Sequence, residues 1–308
     1  MESTHPRLQA LMARASAQAG KRPDALGLVY PCDALALDAA RRIAHSGMAR
    51  PVLIGPASRI AAAADAAQVD VRDFELIDSG SAAPDAALRA CALARSGEVR
   101  ALMKGSLHTD ELMAAVVNKE AGLRGNSRIS HAFVFDLPRY HKLLALADCV
   151  VNIAPDLKTK KDIVGNAVAL LHQLGIAQPK VGIVAAVEVV NPSIPATLDA
   201  QALVDMARAG AWPGAIVEGP FGFDNAFSAE AARIKKIESQ IAGDADLLLM
   251  PDLNAGNMLY KSFNYVGGGD CAGLVLGARV PIVLTSRADS LQSRMASVAL
   301  AVLAAAPG

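Results

Sequence analysis

Ala245-Asp246-Leu247-Leu248-Leu249-Met250 is a short apolar run, and Pro251-Asp252-Leu253-Asn254-Ala255-Gly256-Asn257-Met258-Leu259-Tyr260-Lys261 follows it. The first segment reads as a buried strand. Pro251 ends it, because proline cannot donate to a ladder. Asp252 or Asn254 can then cap a helix running through Lys261. Gly256 lets the backbone approach a neighbour closely, and Asn257 and Lys261 stand about one turn apart. A strand end that feeds a helix N-terminus can receive an anion, since free N–H groups and the helix dipole both favour negative charge.

Outward from this βα unit the pattern repeats. Residues 25–30, 51–55, 74–77 and 101–105 read as strands, each followed by a helical stretch. Asp33 is placed to cap the first of those helices and Thr109 the fourth. After a polar stretch at 122–130, strands are predicted at 132–135, 149–153, 181–187 and 215–217, then at 274–276 and 282–284. Helices are expected over 158–174, 200–209 and 229–241, with a last Ala-rich one to about 305 that Asp289 or Ser290 can cap. Strand and helix alternating through short loops imply a mostly parallel sheet covered on both faces. No internal repeat or low-complexity linker interrupts the chain.

Composition narrows the function. The chain has 308 residues, 53% hydrophobic but only 4% aromatic, and its Lys plus Arg equal its Asp plus Glu at 30 each. A net charge of zero gives no long-range field for nucleic acid or an anionic membrane, so neither partner is expected, and an anionic ligand must be held by local groups. No apolar run is long enough to span a bilayer, and the first 20 residues lack a signal-peptide core. The four cysteines form no CxxC pair and have no histidine at zinc-ligand spacing, so no metal site is expected. Reduced, buried thiols in a cytoplasmic protein are the expectation.

Four polar loops follow predicted strands, and in a parallel sheet such loops converge on one edge. They are Lys104-Gly105-Ser106-Leu107-His108-Thr109, Asn152-Ile153-Ala154-Pro155-Asp156, residues 251–257, and Thr285-Ser286-Arg287-Ala288-Asp289-Ser290. The last is the most pointed. Arg287 can hold a phosphate through two parallel hydrogen bonds, Ser286 can donate one more, and Asp289 can serve as a general base if it faces a cleft. The plain alternative makes Asp289 or Ser290 a helix cap and Arg287 a solvated side chain. Gly267-Gly268-Gly269-Asp270-Cys271-Ala272 matches G-x-G-x-x-A by letter, but it precedes a strand, the wrong context for a dinucleotide site. Lys158, Lys160 and Lys161 oppose the dipole of their helix and are read as a solvated face.

Pro251-Asp252-Leu253, Ala255-Gly256-Asn257 and Tyr260-Lys261, followed by Ser286-Arg287 and Asp289-Ser290 near the C-terminus, resemble the phosphate acetyltransferase/phosphate butyryltransferase family. Met103-Lys104-Gly105, Thr109, Asn118-Lys119-Glu120, Gly122-Leu123-Arg124 and Ser130-His131 are similar to that family's first-lobe segment. The resemblance runs from about Leu26 to the end.

It implies an α/β fold like that of the isocitrate and isopropylmalate dehydrogenases, two lobes with the site between them. Residues 1–128 plus 290–308 would form a discontinuous first lobe and residues 129–289 the second. The implied reaction is reversible: acyl-CoA plus phosphate gives acyl phosphate plus CoA. Coenzyme A would be a substrate, no cofactor would be tightly bound, and the protein would be a homo-oligomer. By the same resemblance Ser286 and Arg287 bind the phosphate and the reacting carbonyl region, and Asn257 lies at the cleft. Asn254, Gly256, Lys261, Lys104 and Gly105 complete the candidate substrate site. The chain departs from the acetyltransferase branch at Gln292 and Ser293, where that branch carries a carboxylate. Asp289, which matches the butyryltransferase branch, is therefore the candidate base. Met113 falls where the acetyltransferase branch has an Arg, so Arg124 or Arg128 would supply the missing charge. A same-fold NAD-dependent dehydrogenase and a non-catalytic CoA- or phosphate-binding module are the alternatives. The dehydrogenase would need acidic metal ligands, and Asp244, Asp246 and Asp252 make a poor set.

Overall fold

The computed structural model describes residues 5–20, 22–284, 286 and 289–305. In chain order the elements begin with α1 (Pro6–Ala19), β1 (Ala25–Val29), α2 (Ala34–Ser46), β2 (Arg50–Ile54), α3 (Ala57–Ala67) and β3 (Glu75–Ile77). Then follow α4 (Ala83–Ser96), β4 (Ala101–Lys104), α5 (Thr109–Val116), β5 (Ser130–Asp136), β6 (Leu144–Ala147) and α6 (Leu157–Gln173). Next are β7 (Lys180–Val184), α7 (Pro195–Arg208), β8 (Ile216–Phe221), α8 (Phe223–Phe227), α9 (Ala229–Ile234) and β9 (Leu247–Leu249). The chain closes with α10 (Leu253–Tyr265), β10 (Asp270–Leu276), β11 (Ile282–Val283) and α11 (Leu291–Ala305).

The chain divides into two units. One comprises Leu8–Ser127 with Ala272–Gly308, and the other Arg128–Cys271 with Met1–Arg7. They are called here the flanking and the central unit.

In the flanking unit the strand order is β3-β2-β1-β4-β11-β10. All its pairs are parallel except β10 with β11. All five residues of β1 are buried, as expected for an interior strand covered on both faces. The Asp33 carboxylate accepts Ala36 N–H at 2.8 Å and caps α2, and Gly47, at φ 70°, ends that helix. α5 begins one residue earlier than Thr109 as cap would require: His108 is the N-cap, and its backbone N–H is held by Glu111 Oε2 at 2.8 Å.

In the central unit the order is β5-β6-β9-β7-β8, with β5–β6 antiparallel and the other pairs parallel. Its core is aromatic. Tyr260 of α10 stacks on Phe133 of β5 with ring centroids 4.2 Å apart, and Phe263 meets Phe135 edge to face at 5.2 Å. Four aromatic side chains are thus spent on fastening α10 to its sheet.

Two expectations fail here for local reasons. Residues 149–153 form no strand. β6 ends at Ala147, and the Asp148 carboxylate captures the backbone N–H groups of Val150 (2.8 Å) and Val151 (3.0 Å), a turn that competes with ladder pairing. The helix expected over 229–241 stops at Ile234, and Lys236 follows in the left-handed region at φ 55°. The cysteines are free, Cys91, Cys149 and Cys271 buried and Cys32 half-buried. Among the described residues, no helix is long and apolar enough to cross a membrane.

Candidate functional site

In the central unit the loop after β9 is built by close packing. Asp252, not Asn254, caps α10: its carboxylate accepts Ala255 N–H at 3.0 Å. Gly256 is buried, and a Cβ there would stand 2.6 Å from the Asp148 carbonyl oxygen and 3.1 Å from Cys149 Cα. Only glycine lets the helix come this near the loop after β6. One residue on, Asn257 Nδ2 donates to the Cys149 carbonyl at 3.2 Å. Asn254 and Lys261 are exposed on the same helix.

That neighbouring loop is organised by a buried carboxylate. Asp148 Oδ2 accepts Asn152 Nδ2 at 2.7 Å and His131 N–H at 3.2 Å, besides the two turn N–H groups on Oδ1. Four donors on one carboxylate offset its burial. Asn152 Oδ1 in turn accepts Arg128 Nε at 3.3 Å. The backbone of Arg128 is held by Asp162 (2.9 Å) and Asn166 (2.9 Å) on α6. The structure therefore gathers Gly256, Asn257 and Arg128 around Asp148 and its loop. Burial pushes the His131 imidazole down to about 4, and the Asp148 charge only partly opposes it, so this histidine is neutral at pH 7. Asn152 heads one of the polar loops read in the sequence and His131 lies in the family-like segment, but Asp148 was missed, its polarity beside an apolar run being the available signal.

In the flanking unit a second loop lies where β4 and β11 end and α11 begins. Gly105 N–H donates to the Val29 carbonyl at 2.8 Å, and a Cβ there would stand 2.5 Å from that oxygen. Lys104 Nζ donates to the carbonyls of Gly105 (3.2 Å) and Leu107 (3.1 Å). Ser286 is exposed, and its N–H donates to Asp289 Oδ2 at 2.6 Å. Ser290 caps α11, its hydroxyl accepting Ser293 N–H at 2.9 Å. Arg287 lies outside the described residues. Arg294, one turn into α11 and 6% exposed, donates from Nη2 to the Ser286 carbonyl at 2.9 Å. A small pocket in this unit is lined by Asp33, Lys104, Gly105, Ser286 and Arg294, among others. Arg124 lies elsewhere in the unit, exposed and bridged to Ala278. Arg294 was missed in the sequence, although it is the one charged residue among the apolar and small residues of the last helix.

The other candidates settle as structure. Lys160 is no solvated lysine: it is buried, 2.7 Å from Asp199. Asp244 bonds Lys180, Lys142 and His141, while Asp246 pairs with Lys142 at 2.7 Å. With Asp252 acting as a cap, these three acids form no common ligand set. Among the described residues, no three His, Cys, Asp or Glu side chains group so as to hold a metal ion. Burial raises the thiols of Cys32, Cys91 and Cys149, which disfavours the nucleophilic thiolate. A larger cleft of ≈ 570 Å³ along β8 contains Glu188, Glu218 and Glu238 and none of the motif residues. Its three carboxylates outnumber its one cation, Arg208, whereas Lys104 and Arg294 outnumber Asp33 in the smaller pocket, which is the better anion site.

Residues 80–302 match a protein-family model described as phosphate acetyl/butaryl transferase. The chain is 47% identical over 296 residues to a phosphate acetyltransferase of Rhizobium meliloti, covering 96% of this chain and 92% of that one. It is 41% identical over 269 residues to a phosphate butyryltransferase of Clostridium acetobutylicum, covering 87% and 89%. Among solved structures, a branched-chain phosphotransacylase from Enterococcus faecalis V583 is similar with a TM-score of 0.80 at 28% identity, over 92% of this chain and 99% of that one.

Proposed function

Since the chain belongs to the phosphate acetyltransferase/phosphate butyryltransferase family, we propose that it transfers a short acyl group reversibly between coenzyme A and inorganic phosphate. The observation that carries this reading is the pocket that Lys104, Gly105, Ser286 and Arg294 line together with Asp33. Two cations and a hydroxyl suit a compact oxyanion such as phosphate.

In the direction of acyl-CoA synthesis the CoA thiol attacks the acyl-phosphate carbonyl carbon. The S–H proton passes to a base, the S–C bond forms, and the C–O bond to phosphate breaks, releasing inorganic phosphate. A free thiol of pKa about 8.5 is only partly ionised at neutral pH, so a base helps. Asp289 is the group we assign to that task, with Ser286 and Arg287 holding the phosphate and the carbonyl oxygen. Holding both substrates in one ternary complex can supply roughly 7–11 kcal/mol of the barrier reduction. The raised thiols favour this direct transfer over a cysteinyl intermediate. Asn257, Asn254, Gly256, Lys261, Arg124 and Arg128 remain the residues proposed to hold the polyanionic CoA. The exposure of Lys261, Arg124 and Arg128 fits that use. The reading includes a cytoplasmic homo-oligomer.

The test is release of free CoA thiol from acetyl-, propionyl- and butyryl-CoA, with and without phosphate. Phosphate-dependent release supports the reading, and the rank order of the three gives the acyl preference, on which the relatives differ. CoA binding without any phosphate-dependent release sinks the catalytic reading and leaves a binding module.

A further inference from the structure

Arg294 is a buried cation that the motifs do not include. It sits on α11 inside the flanking unit, with 6% of its surface exposed. Its backbone N–H donates to the Ser290 carbonyl at 3.1 Å, so the side chain leaves from the first turn of the helix. Nη2 reaches back to the Ser286 carbonyl at 2.9 Å. The same side chain lines the pocket with Lys104 and Ser286. A guanidinium carries five N–H donors in a planar fork, so it can grip a carbonyl while the rest of the fork faces other acceptors.

The Ser286 segment has two further side-chain ties. The Asp289 carboxylate holds the Ser286 N–H at 2.6 Å, and Ser290 caps the helix. Ser286 is thus held from both sides of its own peptide groups, by an acid on its N–H and by Arg294 on its carbonyl. The Asp33 carboxylate on the pocket wall accepts Ala36 N–H as the α2 cap. Lys104 and Arg294 place two positive charges on this one pocket, and burial weakens the screening of the arginine.

We infer that Arg294 is a positioning residue for the phosphate half of the reaction. It fixes the Ser286 peptide in the place where the serine meets the phosphoryl group, and it adds positive field to the pocket. This rests on the acyltransferase reading, and the wild-type assay above tests that reading separately, before any variant is made.

The experiment compares wild type, R294Q and R294K by steady-state kinetics with each substrate varied, and by thermal unfolding with and without inorganic phosphate. R294Q is expected to raise the phosphate KM at least tenfold and lower kcat at least tenfold, with the acyl-CoA KM within twofold of wild type. R294K keeps the charge but not the fork. It should recover most of the phosphate KM while kcat stays several-fold low. Phosphate should raise the wild-type Tm, and that rise should shrink in R294Q. If R294Q does not fold, R294K decides: a several-fold loss of kcat with near-normal acyl-CoA KM supports the assignment. R294K with wild-type kcat overturns it. So does a folded R294Q whose two KM values and kcat are unchanged, or a uniform loss of activity that follows only a lowered Tm in both variants.

Discussion

The loop before α10 and the loop before α11 follow the same sequence grammar, a strand end and a polar motif leading into a capped helix. They are held by different forces. The α10 loop is set by backbone contact: Gly256 lies against the Asp148 carbonyl and Cys149, and Tyr260 and Phe263 anchor the helix in the aromatic core. The α11 loop is set by side chains, with Asp289 on the Ser286 N–H and Arg294 on its carbonyl. Close packing gives a rigid floor that tolerates no added atom. Charged tethers hold the Ser286 peptide groups beside a pocket and make the loop sensitive to the identity of each side chain.

The largest effect expected from this contrast is on the tethered side. D289N retains an amide oxygen that can accept the Ser286 N–H, so the loop stays tied while the base is lost. Phosphate-dependent CoA release should fall by about 10²–10⁴, with little change in Tm. Unchanged activity would leave Asp289 as a tether only and remove it as the base.

On the packed side the expected response is to pH. The folded-state pKa of His131, about 4, lies below the ordinary value of 6.5, so its contribution is complete above pH 6.5 and is lost as pH falls towards 4. Up to about 3 kcal/mol of stability is expected to go in that window. Urea unfolding at several pH values should show the slope in wild type and a flatter one in H131N. Equal slopes would place the acid sensitivity in other groups.

The smallest of the three is G256A, which puts a methyl group against the Asp148 carbonyl oxygen. About 1–3 kcal/mol of stability should be lost, read as a lower denaturation midpoint, as for an overpacked core. A wild-type midpoint would mean that α10 can shift at no cost, and the contrast between the two loops would disappear.

Much of this was legible residue by residue. The apolar runs at 25–29 and 247–249 became interior strands because five or three successive buried positions suit a strand covered on both faces. Asp33 and Asp252 cap the helices they precede, a bond spanning only three residues. The two motif loops and their family resemblance could also be read from residue order. Other features could not. Residues 149–153 have strand composition, yet a single carboxylate folds them into a turn. Lys160 reads as a solvated basic residue until the half-buried Asp199, 39 positions along, meets it in an ion pair.

The sequence by itself determined the alternation of strands and helices, the local caps and the two motifs, because burial period and i to i+3 hydrogen bonds are written in neighbouring residues. Only the tertiary structure decided which polar groups meet. Gly256 finds Asp148 and Asn257 finds Cys149 more than a hundred positions away. Lys104 and Arg294 come to one pocket because β4 and β11 are adjacent in the sheet. Strand order brings such residues together, and nothing in the local pattern of one segment records which distant strand will lie beside it.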